Sequence, residues 1–160
     1  MGDLRALDAA RDAGMNQAYD AARAWQSDAR LIGLRVGCGL VGADIRWRAT
    51  FYSKQAGTLL ISDTGEVSVA PAEAERRPTL VLDDVRFANL GRWLAKASLN
   101  EATVVDPVSG IEIRASSEEA PFGPPDAPRE GIYFHVAIVD GTGVKDLFVN
   151  AADGTIYRYR

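Results

Sequence analysis

The sequence predicts an α+β fold of two tandem units, each a helix packed on an antiparallel β-meander. Three observations predict it. Trp25, Ala29 and Leu31 recur ungapped as Trp93, Ala97 and Leu99, both in the pattern Trp-x-x-x-Ala-x-Leu. Helical spacing precedes each copy, and strand-like runs follow it. Each half closes on a glycine turn and a short strand, Asp63-Thr64-Gly65-Glu66-Val67 and Ala152-Asp153-Gly154-Thr155-Ile156. The units divide at 1–70 and 83–160, with 71–82 as a polar, proline-bounded linker. They either abut or share one continuous sheet. The turn glycines lie further apart than the tryptophans, which places an insertion between Val105 and Ile132.

The first half opens on an Ala-rich, charged stretch over 3–13, a short helix that Gly14 interrupts at a cost of about 1 kcal/mol. Asn16 then caps a second helix over 15–28, with Met15, Ala18, Ala22 and Trp25 as its apolar stripe. Residues 31–36 form a strand. Gly37, Gly39 and Gly42 match Gly-x-Gly-x-x-Gly, but they lead into alternating residues rather than a helix, so a hairpin turn is expected instead of a dinucleotide loop. In the next strand Ile45, Trp47, Ala49 and Phe51 share the core face, and Arg46, Arg48, Thr50 and Tyr52 share the other. Strands over 58–62 and 66–70 complete a meander about Asp63-Thr64-Gly65.

In the second half, 79–82 is extended and Asp83 is placed to cap a helix carrying Phe87, Leu90, Leu94 and Ala97, joined by Trp93. Short strands follow over 102–105 and 111–115. Four of the seven prolines fall between Pro121 and Pro128, so 116–130 is a loop or flap rather than a regular element. Strands are expected over 132–139, 145–150 and 156–160.

Composition bounds the function. A chain of 160 residues buries about 70% of its unfolded surface, enough for one sizeable core or two small ones. Net charge is −4, with no basic run longer than Arg76-Arg77, so a nucleic-acid partner is not expected. A single cysteine, Cys38, precludes an intrachain disulfide and a cysteine-based zinc site, and a buried thiol is its expected role. No apolar run reaches the roughly 18 residues of a membrane span. Met1-Gly2-Asp3-Leu4-Arg5 lacks the basic-then-apolar order of a signal peptide.

Catalytic patterns are weak. His135 is the single histidine, on a strand, where packing or one hydrogen bond is expected before base catalysis. Asp140 and Asp146 flank a glycine turn without the loop spacing of a calcium site. Ser53, Ser62 and Ser68 lack a nucleophile-elbow setting. No catalytic residue, metal ligand or cofactor is nominated. The candidate contact residues are Arg46, Arg48 and Tyr52 on one outer strand face, and Tyr157 and Tyr159 on the last strand. Tyrosine and arginine are enriched where proteins touch.

Tyr19-x-x-Ala22-x-x-Trp25, Ala29-x-Leu31, Trp47-x-Ala49-x-Phe51-Tyr52 and Asp63-Thr64-Gly65 together resemble the PepSY-like group of small exported bacterial domains. The second half matches through Trp93, Leu99, Phe134-x-Val136-x-Ile138 and Asp153-Gly154. The resemblance implies a cystatin-like helix-on-sheet shape, an inhibitory or interaction role, and a setting outside the cytoplasm. It carries over no catalytic residue. The expected function is therefore a non-enzymatic binding module that meets a protein through an exposed sheet face or the proline-rich loop. A second possibility is a small α+β cone whose apolar pocket binds or turns over a small molecule. A third is self-assembly through edge strands such as 156–160, including a homodimer.

Overall fold

The computed structural model describes residues 4–38, 45–72, 75–97, 104–105, 110–140 and 143–159. Helix α1 (Leu4–Trp25) precedes strands β1 (Arg30–Cys38), β2 (Ile45–Ser53), β3 (Thr58–Asp63) and β4 (Glu66–Pro71). Helix α2 (Phe87–Lys96) precedes β5 (Val104–Val105), β6 (Ile111–Ser116), β7 (Gly131–Asp140), β8 (Gly143–Asn150) and β9 (Ile156–Arg158). All nine described strands belong to one sheet, ordered β4-β3-β2-β1-β6-β7-β8-β9, with β5 also beside β7. Every pairing is antiparallel. Of the two arrangements that the sequence allowed, the continuous sheet is the one observed.

The seam is the β1–β6 pair, where Leu34 lies opposite Ile113 and Val36 opposite Ile111. These four residues are at most 1% exposed and join one core with Phe51, Phe87, Phe134, Leu147 and Val149. Strand order thus runs outward from the seam on each side, β2-β3-β4 one way and β7-β8-β9 the other. The sheet stays open, with β4 and β9 as its edges.

Helix α1 corrects the expected break at Gly14. It runs unbroken for 22 residues, and Asn16 is an exposed mid-helix residue rather than a cap. Leu7, Arg11, Met15, Ala18 and Ala22 form one buried stripe along it. Gly14 lies against the Trp47 ring, where an added Cβ would stand 3.2 Å from the nearest ring atom. Close approach of helix and strand there offsets the helix-propensity cost of glycine.

Residues 75–86, which follow β4, are packed. Arg30 donates to the Arg77 carbonyl at 2.7 Å, Leu80 N donates to the Leu31 carbonyl at 2.8 Å, and Leu80, Leu82 and Val85 enter the core. Asp83 is exposed and does not cap α2. The cap comes from α1 instead: Asp8 accepts from Phe87 N at 2.8 Å and from Ala88 N at 3.0 Å. A carboxylate at that end also meets the positive pole of the helix dipole.

The two Trp units differ in setting. Trp25 is the last residue of α1, whereas Trp93 lies inside α2 with its ring against Gly154. Leu99 falls outside the described residues. Gly39 and Gly42 do too; the strands on either side pair directly through Cys38 and Ile45. The next described element after β1 is strand β2, not the helix that a dinucleotide loop would open.

Candidate binding face

Both helices and the main core lie on one side of the sheet. The opposite face is set by the period-two alternation of each strand. On β2, Trp47, Ala49 and Phe51 join the core while Arg46 and Arg48 are exposed. On β7, Phe134 and Val136 point inward while Tyr133 and His135 point outward; on β8, Leu147 and Val149 enclose outward Phe148.

Strand register aligns a row straight across this face. Asp63 lies opposite Arg48, Arg48 opposite Arg35, Arg35 opposite Glu112, Glu112 opposite His135, His135 opposite Phe148, and Phe148 opposite Tyr157. Charge pairing follows it. Arg48 Nε donates to Asp63 at 3.0 Å, Arg114 Nε donates to Glu112 at 2.6 Å, and His135 Nε2 sits 2.8 Å from Asp146 Oδ1.

The two ends of the face differ. At the β7–β9 end the proline-rich loop folds back onto the sheet, with Phe122 edge-on to Phe148 at 5.4 Å and to His135 at 6.3 Å. Phe122, Ala127, Tyr133, Phe148 and Tyr157 make a second, smaller core. The loop is pinned by hydrogen bonds: Tyr133 donates its hydroxyl to the Pro128 carbonyl at 2.8 Å, and Phe122 N donates to Ser116 Oγ at 2.9 Å. Burial pushes the Tyr133 hydroxyl pKa up. At the β2–β3 end Tyr52, Leu59 and Ile61 form a half-buried patch beside exposed Arg46 and Arg48. The Arg30 guanidinium stands 5.2 Å above the Tyr52 ring, within cation–π range.

The five contact residues nominated from sequence share this face but make two groups. Arg46, Arg48 and Tyr52 sit on β2. Tyr157 and Tyr159 end the chain on and beyond β9, with Tyr159 61% exposed and its hydroxyl donating to the Gly123 carbonyl at 3.3 Å. Five strand spacings separate the groups, about 24 Å. Sequence reasoning missed Arg30, Arg35, Glu112, Arg114, Phe122 and Phe148. Alternation along their strands could have flagged Arg35, Glu112 and Phe148, while Phe122 depends on how the loop folds. Asp146 serves His135, and the side chains of Cys38 and Asp140 fall outside the description.

Clefts among the described residues lie on the helix side. One of about 390 Å³ is bounded by Arg11, Met15 and Tyr19 of α1 and by Leu82, Asp83 and Arg86. Its buried Arg11 is already engaged, donating to the carbonyls of Leu82 and Val85 and to Asp12. Another, about 140 Å³, lies between Gln17 of α1 and Ser62 and Thr64. Among the described residues no group of three or more His, Cys, Asp or Glu could hold a metal ion. No helix among them is long and apolar enough to cross a membrane.

No family model and no curated protein matches the chain. A crystal structure of a "putative lipoprotein" from Clostridium difficile 630 resembles it in fold, with a TM-score of 0.58 at 12% identity over 88% of each chain.

Proposed function

We propose that the chain is a non-enzymatic binding module whose helix-free sheet face meets a protein partner at its β2–β3 end. One observation carries this: among the described residues the proline-rich loop covers the far end of the face but not the half-buried Tyr52, Leu59 and Ile61 patch, which has exposed Arg46 and Arg48 beside it. Apolar area beside arginine and tyrosine is the composition of an interface centre. The pinned loop favours the face over a free flap as the contact element.

The strand order supports a finer reading, in which the two halves are related helix-plus-meander units joined back to back at β1 and β6. The PepSY-like resemblance belongs with that reading and implies an exported setting. The name of the fold neighbour is compatible with export, although the likeness itself carries fold alone. A small-molecule role would fall to the 390 Å³ cleft, whose buried arginine is already engaged.

A photo-crosslinking residue placed at Thr50 should capture a specific partner, and one placed at exposed Ala24 on α1 should not. Arg46→Glu with Arg48→Glu should cut that adduct about tenfold or more, since charge reversal opposes steering and contact together. Equal capture from both positions, unchanged by the charge reversal, would overturn the proposal.

A further inference from the structure

The β4 edge differs from the rest of the surface. Its sequence, Glu66-Val-Ser-Val-Ala-Pro71, is exposed at every position but Ala70, and Val67 and Val69 are each 56% exposed. Pairing with β3 is unbroken from Glu66 to Pro71, so no bulge twists the edge away. No lysine or internal proline blunts it. The opposite edge, β9, has three residues, and Tyr159 beyond it is tied to the loop.

The hairpin fixes which backbone groups are free. Thr64 (φ 48°) and Gly65 (φ 91°) are both left-handed, as in a two-residue type I′ turn. Such a turn closes on a hydrogen-bonded pair, here Asp63 with Glu66. Alternation then aims the N–H and C=O of Glu66, Ser68 and Ala70 at β3, and those of Val67 and Val69 outward.

We propose that β4 pairs antiparallel with β4 of a second copy, giving a two-fold dimer with one sheet running through both chains. A two-fold pairing sets residues of the same parity opposite one another, because opposed side chains must share a face. With the axis at Ser68, Val67 meets the partner's Val69, and outward donors meet outward acceptors in four hydrogen bonds. Glu66 meets the partner's Ala70, so no like charges oppose. With the axis at Val69 four hydrogen bonds would also form, two between the paired Val69 residues and one to each Pro71 carbonyl, but each Val67 carbonyl would face the partner's Pro71, which has no N–H to give. The register centred on Ser68 is therefore the one that leaves no outward valine carbonyl without a donor, and in it the four valines become neighbours on the helix side. The helix-free faces of the two copies also become continuous, which would present the proposed binding patch twice.

The test uses the full chain with Cys38→Ser. Ser68→Cys puts a thiol on the axis in a non-hydrogen-bonded pair, where Cα atoms about 4.5 Å apart allow a disulfide. Mild oxidation should give a covalent dimer, whereas Tyr157→Cys on β9 should not. Sedimentation of the unmodified chain should show a concentration-dependent dimer. Val69→Pro should weaken it about tenfold or more by removing one outward donor per copy. Val67→Lys, which leaves the strand backbone intact, should also give monomer, with circular dichroism checking the fold. A chain that stays monomeric with Ser68→Cys uncrosslinked overturns the proposal. So does a dimer indifferent to both Val67→Lys and Val69→Pro.

Discussion

Asp28 shows how single contacts tie distant turns together. It follows α1, and its carboxylate accepts from the Ser53 hydroxyl at 2.6 Å and from Gln55 N at 3.0 Å, across to the turn after β2. The Ser53 hydrogen bond, aided by Gln55, holds its pKa below the usual carboxylate range. Glu75 is lowered too, first by its hydrogen bond with Arg77. A depressed folded pKa contributes stability above the unfolded value, near about 4. That contribution is lost as pH falls through the lower, folded value. Asp28→Asn should therefore lower the melting temperature at pH 7, and the gap to the parent chain should close below pH 4 in a pH series of thermal melts. A gap constant to pH 2 would show that the hydrogen-bond geometry, not the charge, is what matters. Asp8→Ala should cost about 1 kcal/mol or more in denaturant unfolding, the usual loss of a helix cap, although the cap acts across 79 residues.

At the scale of elements, the proline-rich loop is the informative case. Proline explains why 117–130 forms no helix or strand, yet the loop is held against β7 and β8 by Phe122, Ala127 and the Tyr133–Pro128 hydrogen bond. Its small core is separate from the main one. Phe122→Ala should loosen the loop while leaving the sheet intact, at a cost of about 1–2 kcal/mol from lost aromatic packing. Limited proteolysis should then cut within 117–130 many times faster, with little change in the circular dichroism of the sheet. Gly154→Ala should be costlier, because Gly154 has φ 77° and an added Cβ would fall 2.4 Å from the Trp93 ring.

For the whole molecule, the β1–β6 seam decides how the chain behaves. Each half alone would expose a row of unpaired backbone groups and the apolar side chains of Leu34, Val36, Ile111 and Ile113. Unfolding should therefore be a single cooperative transition, with Trp fluorescence and far-UV circular dichroism coincident in urea. Residues 1–72 expressed alone should fail to give a stable monomeric fold. Two separated transitions would show the halves to be energetically independent.

The sequence by itself determined the α+β class, the strands and their inward faces, because period-two alternation along Ile45–Tyr52 and Phe134–Ile138 is a local property of side-chain order. It also placed Arg46, Arg48, Tyr52, Tyr157 and Tyr159 on outward positions. Tertiary structure alone decided that β1 pairs with β6, that Asp8 rather than Asp83 caps α2, that Gly14 passes through a helix against Trp47, and that the loop closes over Phe148. Each of these joins residues far apart in the chain. Local propensity cannot see such a contact, and its free energy arises only when the burial of one core brings both sides together.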